Sequence, residues 1–98
     1  MPTYILLSNL TDEGAKSLKT NPKRVQEVNK EIEKYGAKVT AQYAVLGPYD
    51  FVSIVDCPDN ETIARVSVEL ASRGSIRLMT LAATPVANFV RSLKPDGK

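Results

Sequence analysis

The sequence contains no histidine, and Cys57 is its one cysteine. These two absences remove histidine-based triads, histidine-ligated haem and nearly every zinc or non-haem iron site, so no metal and no resident cofactor is implied. Any catalysis would run on Asp, Glu, Lys, Tyr, Ser or a borrowed cofactor. A lone thiol makes no internal disulfide, and the start Met-Pro-Thr-Tyr lacks the basic flank and long apolar stretch of a signal peptide. Both point to a cytoplasmic protein. Long apolar runs are missing too: Tyr4 to Leu7 is far short of the roughly 20 residues that cross a bilayer, so no membrane partner is expected. Nor does charge of one sign dominate. Thirteen basic against eleven acidic residues leave a net +2, which neither drives phosphate binding nor forbids it.

The 98 residues form one expected domain, 1–98, with a polar tail over 94–98. A chain of this length leaves much apolar surface half covered unless it finds a partner. YILLSN, 4–9, is short, apolar and rich in branched and aromatic residues, and reads as a strand. The cluster Thr11-Asp12-Glu13 then starts a helix, with Gly14 and a stop near Thr20 predicting only a short helical turn. Asn21-Pro22 restarts it as cap and first helical residue. Val25, Val28, Ile32 and Tyr35 form one apolar stripe, closed by Gly36.

Residues 37–46 alternate between polar and apolar with period two, and FVSIVD, 51–56, follows after only four residues, so the two form a hairpin. Pro58-Asp59-Asn60-Glu61 opens a second helix, lined by Ile63, Val66 and Leu70 and ended by Gly74. Asp59 and Glu61 are helix-start residues there. SIRLMTLAA, 75–83, is a last strand, and 85–93 a turn or short helix. The order βαββαβ predicts an α+β, ferredoxin-like fold: a four-stranded antiparallel sheet with both helices on one face.

If Ile5, Leu7, Val52 and Ile54 face the helices, the other face carries Tyr4, Leu6, Ser8, Tyr49, Phe51, Ser53 and Val55, with Arg77, Met79 and Leu81 from the last strand. A solvated sheet face should be polar. Tyr4, Leu6, Phe51, Val55, Met79 and Leu81 are therefore the expected oligomer interface, covered by a second copy of the chain. Two sheets stacked in this way bury about 1,200 to 2,000 Å².

Between the hairpin strands, Gly47 supplies a positive φ, Pro48 a fixed φ, and Asp50 an acceptor for loop N–H groups; turn chemistry alone explains all three. Tyr49 is explained least by the turn. Its phenol offers a hydrogen bond to a ligand at the mouth of a cleft, oriented by Asp50, with Ser8 and Arg77 as further polar candidates. Cys57, after a strand and before Pro58, reads as a small buried apolar residue, with a reactive thiol as the minor alternative.

The stretch Leu46-Gly47-Pro48-Tyr49-Asp50-Phe51-Val52, then Cys57-Pro58-Asp59 and 71–83 (ASRGSIRLMTLAA), resembles the GYD-domain family of small bacterial and archaeal proteins. Leu10-Thr11-Asp12-Glu13-Gly14 and Asn21-Pro22-Lys23-Arg24 extend the likeness over nearly the whole chain. The resemblance implies a ferredoxin-like, dimeric α+β barrel architecture and specifies no particular reaction.

Three functions stay open at this point. The first is a small oligomeric module binding an anionic or aromatic ligand near the Gly-Pro-Tyr-Asp corner or the subunit contact, with Lys23, Arg24, Arg65, Arg73 and Arg77 as a basic surface. The second is a cofactor-free enzyme, monooxygenase-like or isomerase-like, in the pocket between sheet and helices. No acid–base pair of the required spacing supports it, since Asp50 and Asp56 are about 20 Å apart along a strand. The third is RNA binding, because the RNA-recognition motif shares the βαββαβ order. Against nucleic acid, Leu6 and Ile54 stand where stacking aromatics belong, and Asp50 faces where phosphates would pass.

Overall fold

A computed structural model describes residues 1–94, so the rest of the polar tail, 95–98, lies outside the described residues. The chain runs β1 (Thr3–Leu10), α1 (Asp12–Thr20), α2 (Arg24–Glu33), β2 (Lys38–Ala44), β3 (Phe51–Asp56), α3 (Asn60–Ala71), β4 (Ile76–Ala83) and α4 (Val86–Ser92). All strand pairs are antiparallel, in the order β2-β3-β1-β4. This is the expected ferredoxin-like arrangement, with the first helical segment divided in two and a short helix added at the end.

The division between α1 and α2 falls where the sequence placed a stop near Thr20 and a restart, but α1 is longer than the one short helical turn expected before Asn21. Thr11 is a full N-cap, its hydroxyl accepting the Gly14 N–H at 3.0 Å, and Asp12 and Glu13 complement the first-turn dipole, so α1 reaches nine residues. Asn21 ends α1 and does not cap α2, which starts at Arg24 with no side-chain cap. Gly14 is not a weak point of the helix. A Cβ there would sit 1.9 Å from the Ser75 carbonyl oxygen, so glycine is what allows α1 to touch the start of β4. The same seam is tied by the Thr11 N–H to the Ser75 carbonyl at 3.0 Å and the Thr11 hydroxyl to the Gly74 carbonyl at 2.8 Å. At α3, Asp59 accepts from the Thr62 hydroxyl and N–H at 2.6 and 2.8 Å, bonds that hold its carboxyl below the usual range.

The facing of β1 and β3 is the reverse of the sequence expectation. Tyr4, Leu6 and Val55 are buried beneath the helices with Ile32, Ile63, Val66 and Leu70, and Phe51 also turns to that side. Tyr4, Leu6, Phe51 and Val55 therefore do not belong to the open face. Met79 and Leu81 do, at 48% and 41% exposure. The register completes that face: Leu7 lies opposite Val52 and Met79, and Ile5 opposite Ile54 and Leu81. A bulge between Val39 and Ala41 rephases β2, so Val39 packs on the core while Ala41 and Tyr43 join the open face. The reason for the reversal is that Tyr4 to Leu7 is apolar at every position, and period two has no phase where both faces are apolar.

Buried polar groups are satisfied where they occur. The Tyr4 hydroxyl donates to Asn60 Oδ1 at 2.6 Å, at the start of α3, and burial pushes its pKa up. Cys57 is fully buried, and burial raises its thiol pKa as well, which removes the reactive reading. The radius of gyration is 15.2 Å, against about 13 Å for a globular chain of this length. The long dimension, 55 Å against 30 and 19 Å, matches a final helix in which no residue is buried.

Candidate functional site

The Gly-Pro-Tyr-Asp corner is held by backbone bonds and one carboxylate. Gly47 takes φ +120°, open to non-glycine residues only with strain. The Val45 N–H donates to the Asp50 carbonyl at 2.8 Å, and the Asp50 N–H to the Ser8 carbonyl at 2.9 Å. Asp50 Oδ2 accepts the Leu10 N–H at 2.8 Å, beyond the β1–β3 ladder. Asp50 thus ties the corner to the end of β1. Asp50→Ala should cost about 1 to 3 kcal/mol, because the Leu10 N–H loses its acceptor, while Asp50→Asn should cost less. Urea denaturation of the two variants checks this, and equal losses would contradict it.

The four polar candidates do not converge. Ser8 lies under the helices. The Tyr49 hydroxyl is 3.7 Å from Met79 Sδ on the open face, a weak contact. Arg77 is exposed on that same face, opposite Asn9 of β1. Asp50 is engaged by backbone. A ligand at the corner would therefore meet Tyr49 without the expected helpers.

A cavity of about 420 Å³ lies between the sheet and α1–α2, and the reason is local. Gly14 is the one buried residue of α1 and Ile32 the one buried residue of α2. The two helices are pinned at these outer ends, and the segment between them, around Asn21-Pro22-Lys23, arches over the sheet. The walls include Leu6, Leu18, Val25, Val28, Phe51 and Leu78, and the floor includes Ser8 and Ser53. Gln42 Nε2 donates to Ser53 Oγ at 2.9 Å, and Asn29 Nδ2 donates to Gln42 Oε1 at 2.8 Å.

At the cavity's edge Arg24 and Arg73 share Glu31, at 3.0 and 2.7 Å, and bond to Glu27 and Glu69 at 3.6 and 3.4 Å. The Arg73 guanidinium, with that of Arg24, holds the Glu31 carboxyl below its ordinary range. Two guanidiniums among three carboxylates leave no free positive charge here, so Arg24 and Arg73, two of the five residues of the expected basic surface, are spent on ion pairs. Gln42, Asn29 and Ser53 were not singled out as site residues from sequence; a polar residue in every second position of β2 was the available signal.

The open face carries Ile5, Leu7, Val52, Ile54, Met79 and Leu81 as a continuous patch, with Tyr43 at the β2 edge. On β1 and β3, where an RNA-recognition sheet presents stacking aromatics, this face is aliphatic. A second apolar surface was missed. Val86, Phe89, Val90 and Leu93 recur at i, i+3, i+4 and i+7 along α4 and its C-cap, and all are exposed. No helix among the described residues is long and apolar enough to cross a membrane.

A ferredoxin-like α+β sheet with an exposed apolar face and an exposed final helix has the make-up of a small binding module. The chain belongs to the GYD-domain family, whose model matches residues 4–93. It is 57% identical over 95 residues to a Thermus thermophilus protein named "Glutamine synthetase and cystathionine beta-lyase binding protein", covering 96% of this chain and all of that protein. The crystal structure of TTHA0845 from Thermus thermophilus is similar at a TM-score of 0.57 and 28% identity, covering 87% of this chain and 95% of that one.

Proposed function

We propose that the protein is an oligomeric protein-binding module: it pairs with a second copy through the open sheet face and attaches to a larger enzyme through α4. The observation that carries the second half is the exposed stripe Val86, Phe89, Val90 and Leu93. A seven-residue helix is far below the roughly 12 to 15 residues that are even marginal in isolation, so α4 needs a surface to lie on. On its own protomer every residue of it stays exposed. Anchors at i, i+3, i+4 and i+7 are the pattern by which an amphipathic helix enters a groove on another protein.

The relative's name supports an enzyme as that protein, and glutamine synthetase is the first to try. A ligand at the Gly-Pro-Tyr-Asp corner finds less support, since Tyr49 stands there without Ser8 or Arg77. Interferometry with purified glutamine synthetase of the same organism tests the proposal. Phe89→Asp should weaken binding about thirtyfold or more, the scale of losing a buried aromatic anchor, with oligomeric state unchanged. Undiminished binding, or loss of the oligomer in its place, would overturn the role given to α4.

A further inference from the structure

We propose that the cavity beneath α1 and α2 is a binding site for an uncharged, largely apolar molecule with a carbonyl group, separate from the protein-docking surfaces. Its volume, about 420 Å³, falls in the range of small-molecule pockets, roughly 300 to 1,000 Å³. The pocket is open on one side and its walls are mostly aliphatic and aromatic, so an apolar occupant that covers them is favoured.

The polar floor includes two hydroxyls with protons to give. Ser8 and Ser53 are 8% and 6% exposed, more than nine-tenths buried. Among the described residues the Ser8 hydroxyl bonds to no protein group, yet its oxygen is not sealed off, so it opens into the cavity. Ser53 accepts from Gln42 and keeps its own proton to give. A carbonyl oxygen on the ligand satisfies such hydroxyls. A carboxylate is disfavoured, because Arg24 and Arg73 are already shared among Glu27, Glu31 and Glu69 and the five groups sum to a negative charge.

The test is fluorescence titration of the full chain with the uncharged aryl ketone dye prodan at pH 8. A saturable blue shift with one site per chain is expected, displaced by a dodecanone and not by dodecanoate. Ser8→Ala should weaken the dye about fivefold, the worth of one hydrogen bond, and Val25→Trp, which fills the chamber, should abolish binding. Circular dichroism melts confirm folding, and if Val25→Trp does not fold, Ser8→Ala decides. The proposal is overturned if the wild type shows no saturable binding, if neither variant changes it, or if dodecanoate competes as well as the ketone. Because the chamber is distinct from α4, loss of this site would leave glutamine synthetase binding standing.

Discussion

Replacing Leu7 by lysine is expected to turn an oligomer into separate chains without unfolding them. Leu7 stands near the middle of the open face, opposite Val52 on one side and Met79 on the other, with no helix over it. In a lone protomer a lysine there lifts its ammonium into water along a flexible stem, so the fold loses little. In a sheet-on-sheet pair the same group is enclosed, and an unpaired buried charge costs about 3 to 5 kcal/mol. That weakens association by roughly a hundredfold or more. Phe51→Lys is the informative contrast. Its side chain points beneath the helices into the cavity wall, so its loss should fall on folding stability. Light scattering and a thermal melt on both variants read the facing of the sheet directly: Leu7→Lys dissociates and melts normally, Phe51→Lys melts early.

Gly14→Ala is expected to destabilise the protein by about 2 to 4 kcal/mol, a large share of the roughly 5 to 15 kcal/mol a domain has. Helix propensity alone predicts the opposite sign, a gain of about 1 kcal/mol, since alanine outranks glycine inside a helix. Contact decides against propensity. The new methyl would lie 1.9 Å from the Ser75 carbonyl oxygen and 2.8 Å from its carbon, both backbone atoms that cannot swing aside. Relief requires moving α1 off β4, which strains the Thr11 bonds to Ser75 and Gly74. Urea denaturation gives the sign at once, and a stabilised Gly14→Ala would contradict the close approach of helix and strand.

Much of this fold is legible in the chain, and the failures have physical causes. FVSIVD is bounded by turn chemistry on both sides, and the observed β3 has the same limits. Gly36, Gly47 and Gly74 all take positive φ where a stop or turn was expected. The last strand was also phased correctly, with Arg77, Met79 and Leu81 on the helix-free face.

On β1 and β3 the facing could not be read locally, because Tyr4 to Leu7 is apolar throughout and Ser8 and Ser53 lie in phase with Tyr4, Leu6 and Val55, which no local pattern marks as the buried side. Gly14 was read as a helix weakness for a similar reason: its partner, Ser75, is 61 positions away in the sequence. The α4 stripe was within reach, since Val86, Phe89, Val90 and Leu93 have helical spacing and 85–93 was read as a turn or short helix, but nothing in so short a segment marks its apolar side as a surface of its own.

The proposed oligomer rests on the pairing of two copies through the open sheet face. Sedimentation equilibrium of the wild type over a wide concentration range tests it most directly. The expected result is a mass that is a multiple of one chain at micromolar concentration, falling to one chain in Leu7→Lys. A wild type that sediments as one chain at every concentration would contradict it.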